Sequence, residues 1–285
     1  MQHLFAQTRY REMAETLRPL YARNEPFPHI MIDDFLPPEV ADRVLGEFPG
    51  EKAQEWHRFD NPMERKLATR EDEQFGPFTR ELMFELNSRT FIDFLEKLTG
   101  IDALIPDPHF EGGGLHQIPR GGFLKIHADF NYHARYMLNR RLNLLLYMNK
   151  GWEDAWNGHL QLWDREMKGC VKKIAPVFNR CVIFSTTDDA YHGHPDTLVC
   201  PEGVTRKSLA LYYYSNGRPE EEGAAKHTTL FRRTPDEVGG PFARFWYRLR
   251  WKLAKLLRKL SHAAEPERKT IKARAEPANE ARTRA

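Results

Sequence analysis

Gly121 to Asn131 reads GGFLKIHADFN, and this stretch sets an imidazole and a carboxylate two residues apart, at His127 and Asp129. Read as a β-strand, it puts both groups on the same face, because side chains at i and i+2 project together, so the pair can grip one small ion from one side. One extended segment cannot wrap a cation by itself. A second imidazole is therefore expected from a distant strand. Ser185 to Pro195, STTDDAYHGHP, supplies the candidates His192 and His194, which alternate onto one face.

The chain around this stretch has the texture of short strands separated by turn residues. From Gly112 to Ser215 the segments GLHQI, FLKIHAD, RLNLLLYMN, HLQLWD, VKKIAP, RCVIFST, YHGHP and RKSLALYYYS each fit a strand. Eight short strands at this spacing predict an all-β sandwich or barrel, and eight is the number of a jelly roll. The expected fold class is therefore mainly β with flanking helices, a jelly roll.

Helical patterns come before the strands. Residues 4–22 have helix-forming composition, and HIMIDDFLP (29–37) reads as a strand running into a loop. Pro37-Pro38 then opens a helix through EVADRVLGEF, with proline where a missing N–H costs little. Residues 51–77 are polar and irregular, which predicts a long loop, and Trp56 and Phe59 suggest a lid. From Phe78 to Leu98 the apolar residues fit one long helix ended by Gly100. The expected organisation is a helical region over 1–111 packed on a core at 112–216, a surface extension at 217–240, an amphipathic helix at 241–262 and a disordered tail at 263–285.

At 285 residues, with 41% apolar and 29% charged side chains, the chain suits a globular protein with a sizeable core. No run approaches a membrane span, and MQHLFAQTRYREMAETLRPL lacks the apolar centre of a signal peptide, so a cytoplasmic location is expected. Cys170, Cys181 and Cys200 share no Cys-x-x-Cys spacing, which argues against a disulfide framework or a zinc ribbon. They are expected to be reduced and mostly packed. Charge is divided unevenly: residues 241–285 carry 13 Lys or Arg against 4 Asp or Glu, whereas the first 240 carry 30 against 36. The acidic body and the basic end are different objects.

Two histidines and one carboxylate on one face, with open positions opposite, form the donor set of non-haem Fe(II) sites. With that set in view, region 112–215 resembles the catalytic jelly roll of Fe(II)- and 2-oxoglutarate-dependent dioxygenases, in the branch that includes prolyl 4-hydroxylases. The resemblance is carried by GGFLKIHAD, LLLYMN, GHLQLW, NRCVIFST, YHGHP and TRKSLALYYY in that order. It implies His127, Asp129 and His192 as iron ligands, family spacing favouring His192 over His194. It also implies that Arg206 holds the distal carboxylate of 2-oxoglutarate and that Tyr147 hydrogen-bonds the same group. Iron, 2-oxoglutarate and O2 would then hydroxylate a C–H bond of a prolyl, other peptide or small-molecule substrate, releasing succinate and CO2, with ascorbate as a candidate reductant. Related halogenases have a small residue in place of the carboxylate, so Asp129 points to hydroxylation.

The chemistry of the residues agrees with these roles. A 2-oxoglutarate that chelates iron through one end leaves a carboxylate at the other, and the planar fork of arginine matches it. Arg206, Ser208, Ala210 and Tyr212 share a strand face, so the Ser208 hydroxyl could add a hydrogen bond, and Asn143, Leu145 and Tyr147 share another. His116 and His133 read as surface or core histidines, and Trp152, Trp156 and Trp163 as packing residues, the first two in a loop that could border an entrance. The alternatives are a non-catalytic cupin-like module tethered by its basic helix, and a zinc or nickel cupin enzyme working without 2-oxoglutarate.

PFARFWYRLRWKLAKLLRKL (241–260) places Phe242, Phe245, Trp246, Leu249 and the leucines beyond on one helical face, with Arg and Lys elsewhere. A basic amphipathic helix of this kind packs on its own domain or a second subunit, or lies peripherally on the inner face of a membrane. Nucleic acid fits poorly, because a phosphate-binding surface would extend onto the body, and the body is acidic.

Overall fold

The computed structural model describes residues 7–53, 55–219 and 225–263; the expected tail at 263–285 lies outside these beyond Ala263. The elements run α1 (Gln7–Arg23), β1 (His29–Ile32), α2 (Pro38–Glu47), β2 (His57–Asn61), β3 (Glu64–Ala68), α3 (Pro77–Glu85), α4 (Arg89–Thr99), β4 (Ile105–Pro106), β5 (Gly114–Ile118) and β6 (Phe123–Ala128). They continue through β7 (Tyr132–His133), β8 (Leu138–Tyr147), β9 (Leu160–Trp163), β10 (Cys170–Ile174), β11 (Cys181–Ser185), β12 (His192–His194), β13 (Arg206–Ser215), β14 (Leu230–Phe231), α5 (Pro235–Val238) and α6 (Pro241–Ala263).

All strand pairings are antiparallel, and the sheet runs β1-β11-β8-β13-β5-β3-β6-β12-β9-β10. Strand β3 is the bridge: it pairs β5 at Leu67 and Ala68 and β6 at Glu64 and Arg65, joining the broad half of the sheet to the half that carries the histidines. This is a double-stranded β-helix with flanking helices, the cupin-like jelly roll that the resemblance implies.

The two-residue alternation of β8 and β13 divides the core. Leu142, Leu144 and Leu146 of β8, with Leu209, Leu211 and Tyr213 of β13, face the helices and pack on Phe35, Phe91, Phe94, Leu95 and Leu98 in the largest cluster. Leu145 and Tyr147 face the other way, into an inner cluster with Phe27, Leu160, Leu162, Val182 and Phe184. Burying one large aliphatic side chain is worth about 1.5–3 kcal/mol, so the helix-facing layer is a principal stabiliser of the sheet. The three cysteines are free, with Cys181 and Cys200 buried.

Two local expectations are corrected. The stretch 51–77 is not one irregular loop: it folds into the hairpin β2–β3, paired from His57–Ala68 to Asn61–Glu64, because β3 is recruited as the bridge between β5 and β6. The long helix expected over 78–98 is two, α3 and α4, broken at Leu86–Ser88, where the Ser88 hydroxyl caps α4 by accepting from the Phe91 N–H at 3.4 Å. The second helix ends at Gly100 as expected.

Helix α3 has no cap from its own N-cap residue. Glu47, at the end of α2, reaches over instead and accepts from Phe78 N (3.1 Å), Thr79 N (2.7 Å) and Thr79 Oγ1 (2.9 Å). A carboxylate there satisfies open N–H groups and meets the positive end of the helix. Glu47→Ala is therefore expected to lower the unfolding free energy by about 1–2 kcal/mol in urea denaturation, with Glu47→Gln losing less. An unchanged midpoint for Glu47→Ala would rule out the capping role.

Candidate metal and cosubstrate site

Strands β6 and β12 lie side by side with His127 directly opposite His192, their rings 4.5 Å apart between centroids. Asp129 follows the end of β6. Its Oδ1 is 3.5 Å from His127 Nε2 and its Oδ2 is 3.3 Å from His192 Nε2. The three donor atoms lie within 4.8 Å of one another. Each imidazole is oriented from behind: His127 Nδ1 donates to Lys125 O at 2.8 Å and His192 Nδ1 donates to Ala190 O at 2.9 Å. Since a carbonyl only accepts, Nδ1 carries the proton in both rings and each Nε2 keeps its lone pair free toward the common centre. Burial lowers the pKa of His127, with the neighbouring His192 adding to the effect, which favours the neutral, ligating form.

Asp129 is prepared as an anion. Burial alone would raise its pKa, but Arg140 and the two histidines hold it well below the usual carboxylate range. Asn143 Nδ2 donates to Asp129 Oδ2 at 2.6 Å, and Arg140 Nη2 lies 3.3 Å from the same oxygen. Arg140 also donates to Asn143 Oδ1 through Nε (2.9 Å) and Nη2 (2.6 Å). Its guanidinium lies 3.4 Å from the Tyr212 ring centroid and 4.4 Å from that of Phe130. Two neutral nitrogens and one carboxylate oxygen, aimed at one point with their outer partners in place, fit Fe(II).

His194 was the competing histidine, and it does not join this group. Between His192 and His194 the β12–β6 register slips, so that His194 faces Leu124, three residues from His127. Gly193 makes the slip possible, since a Cβ there would lie 2.8 Å from both Leu124 O and Lys125 O. His194 is buried with neither ring nitrogen hydrogen-bonded, and burial together with the charges of Arg206 and Lys66 pushes its pKa well down. His116 lies in the same neighbourhood, its Nε2 buried without a partner and its pKa lowered to about 3, first by burial and then by Lys66. His133 is elsewhere, beside Asp107, Glu111 and Tyr214.

Arg206 is 4% exposed. Its Nε donates to Gly158 O at 2.8 Å and its Nη2 donates to the Tyr147 hydroxyl at 3.1 Å. Gly158 has to be glycine: its φ is +77°, and a Cβ there would lie 2.8 Å from Leu198 and 3.2 Å from the Arg206 side chain. Ser208 is buried opposite both Tyr147 and His116 in the register. Among the described residues no carboxylate pairs with Arg206, and its burial lowers its pKa. A buried guanidinium without an anion carries an uncompensated desolvation cost that an incoming carboxylate would relieve.

A cavity of about 560 Å³ opens beside the triad. His127, Asp129 and Arg140 line it with Phe130, Tyr212 and His116, while Glu64, Lys66, Arg70 and Glu111 give it charge. Arg206, Tyr147 and Ser208 lie outside its wall. The stretch expected as a surface extension contributes Thr229 and Phe231 to the lining, because β14 pairs β6 at Ala128 and His127. Asn131 holds that segment in place, donating to Ala225 O at 2.9 Å and accepting from His227 N at 3.0 Å. Sequence reading missed Arg140 and Asn143 as partners of Asp129, although the inward alternation of β8 already placed Asn143 on the face of Tyr147.

Comparison with known proteins gives the same picture. A family model described as the 2OG-Fe(II) oxygenase superfamily matches residues 113–214. Among curated proteins no sequence matches. The fold is similar to that of a prolyl-4-hydroxylase from Pseudomonas putida, at 17% identity and a TM-score of 0.50, over 72% of this chain and 100% of that one. Also similar are a Trichoplax adhaerens prolyl hydroxylase solved with a peptide of hypoxia inducible factor (18% identity, TM-score 0.49, 73% and 91% covered) and HygX from Streptomyces hygroscopicus solved with nickel and 2-oxoglutarate (10% identity, TM-score 0.45, 70% and 92% covered). Matched sequence and observed fold thus agree: the model of the 2OG-Fe(II) oxygenase superfamily covers the strands that carry the site, and the chain is similar in fold to a prolyl-4-hydroxylase.

Proposed function

We propose that His127, Asp129 and His192 hold the Fe(II), that Arg206 and Tyr147 anchor the distal carboxylate of 2-oxoglutarate with Ser208 beside them, and that the enzyme hydroxylates an aliphatic C–H bond. The observation that carries this reading is the convergence of two free Nε2 lone pairs and one ionised carboxylate on a single point. Bound there, iron and 2-oxoglutarate supply the oxidation in which one atom of O2 enters the substrate and the other enters succinate, with loss of CO2.

The chain's own residues hold, orient and exclude. Lys125 O and Ala190 O keep both imidazoles in the ligating tautomer, and Asn143 and Arg140 keep Asp129 ionised and turned inward. Phe184, against the His192 ring at 4.7 Å, closes the inner side to water. On the substrate side, Arg140 leaves Nη1 buried without a partner at the cavity, a donor for a substrate carbonyl or carboxylate. The cavity volume suits a medium-sized molecule or an inserted side chain. Its mixture of aromatic and charged walls suits a polar substrate, such as a prolyl or other peptide side chain or a polar small molecule.

Anaerobic titration of the Fe(II) protein with 2-oxoglutarate tests this directly. A weak visible charge-transfer band is expected as the keto acid chelates the metal, and succinate release on admitting oxygen should follow. No band in folded, iron-loaded protein would refute the assignment.

A further inference from the structure

Helix α6 is turned the wrong way round for a helix that merely covers its own domain. Its apolar stripe includes Phe242, Trp246, Leu249, Leu253, Leu256 and Leu257, and these side chains are between 46% and 76% exposed. A surface helix ordinarily lays such a stripe on the core. Here the contact with the body is made from the other side. The Tyr247 hydroxyl accepts from Arg233 N at 3.1 Å, and Tyr247 and Arg248 close a small recess with Met167, Pro235 and Val238. At 3.6 residues per turn, Tyr247 lies across the helix from Leu249, Leu253 and Leu256. The stripe therefore faces outward.

Charge selects what covers it. Residues 241–263 hold seven Lys or Arg and no Asp or Glu. Arg250 flanks the stripe on one side, with Arg248 and Lys252 on the other. A symmetric pairing of two copies, stripe on stripe, would bring these cations together with no acid to offset them, which is unfavourable. A surface of lipid phosphates offers the complement to both features, an apolar layer for the stripe and negative charge for its flanks. Among the described residues no helix is long and apolar enough to cross a membrane.

We propose that α6 lies flat on an anionic lipid bilayer and docks the enzyme there. The anchor is joined to the cavity by a short tether. Thr229 and Phe231 line the cavity and β14 pairs β6 at His127, and only residues 232–240 separate β14 from α6. Lys125 of β6 further ties this connection through an ion pair with Glu237 of α5 at 2.5 Å. Docking through α6 would thus hold the catalytic domain at the bilayer by the strand that borders its metal site. The proposal goes beyond the assigned chemistry and stands independently of it.

Flotation of the full-length protein with vesicles tests it. The protein should float with vesicles of phosphatidylcholine and phosphatidylglycerol in equal parts and stay behind with phosphatidylcholine alone. Raising salt from about 0.1 M to about 1 M, which shortens the screening length from roughly 10 Å to 3 Å, should release much of it. The double variant Leu253→Asp, Leu256→Asp should reduce binding at least about tenfold, and Arg250→Glu with Lys252→Glu should do the same, while both keep wild-type 2-oxoglutarate turnover, since neither pair touches the core. Failure to float with the mixed vesicles would overturn the proposal. So would flotation undiminished by the Asp substitutions, or a solution dimer that those substitutions split in a protein that ignores vesicles, which would assign the stripe to a second copy.

Discussion

Asp129→Ala is expected to cost at least about 100-fold in Fe(II) affinity and to abolish the charge-transfer band and succinate formation, because it removes the one anionic donor of the set. Loss of an outer partner of a metal ligand typically costs roughly 10–100-fold, so Asn143→Ala, which deletes the 2.6 Å hydrogen bond to Asp129 Oδ2, should fall below the ligand itself. His192→Ala should resemble Asp129→Ala, and His194→Ala should leave Fe(II) affinity close to wild type, since His194 faces Leu124 rather than the triad. Equilibrium metal titration separates these cases. Wild-type affinity in Asp129→Ala, or loss in His194→Ala equal to that in His192→Ala, would show that the ligand set is wrong. Because Asp129→Ala also strips Arg140 of its anion, thermal unfolding of the metal-free variant should accompany the titration to confirm that it folds.

The second large effect concerns Arg206. Arg206→Ala should weaken 2-oxoglutarate binding by about 2–5 kcal/mol, the usual result of deleting one partner of a buried, hydrogen-bonded charge pair. At 1.4 kcal/mol per decade this is roughly 30-fold to a few thousand-fold. Arg206→Lys keeps the charge without the planar fork and should fall between. Iron affinity measured without cosubstrate should not move, because Arg206 contacts Tyr147 and Gly158 and none of the three ligands. Stability should move the other way. The guanidinium is buried with no carboxylate beside it, so Arg206→Met is expected to leave the cosubstrate-free protein as stable as wild type or more stable. Ligand should then raise the melting temperature of the wild type and not of the variant. Unchanged cosubstrate affinity in Arg206→Ala would remove the anchor assignment.

How much of this was legible in the sequence depended on the range of the interaction involved. The alternation in RLNLLLYMN and RKSLALYYYS placed Leu142, Leu144 and Leu146 on one side and Tyr147, Arg206 and Ser208 on the other, because the period of a strand is local and burial follows it. The break between α3 and α4 was also present in the sequence, as Ser88 before an apolar run, but the run of apolar residues on both sides masked the cap. The hairpin β2–β3 was not legible: its residues are polar, and it is a strand pair only because β5 and β6 offer edges to it.

The sequence by itself determined the eight main strands of 112–215, the two inward faces, the His127-x-Asp129 pair and the basic amphipathic character of α6, since each follows from a repeat of two or 3.6 residues within one segment. Only the tertiary structure set His192 opposite His127 and His194 opposite Leu124, through a register slip against β6 between two residues that alternate onto one strand face. It also brought Arg140 into the site, where the β8–β13 register passes from Leu142 to Arg140 and the extra residue reverses the alternation. And it turned the stripe of α6 away from the body. The physical reason is common to all three: periodicity fixes which residues share a face, but which neighbour that face meets depends on pairings made by segments far apart in the chain.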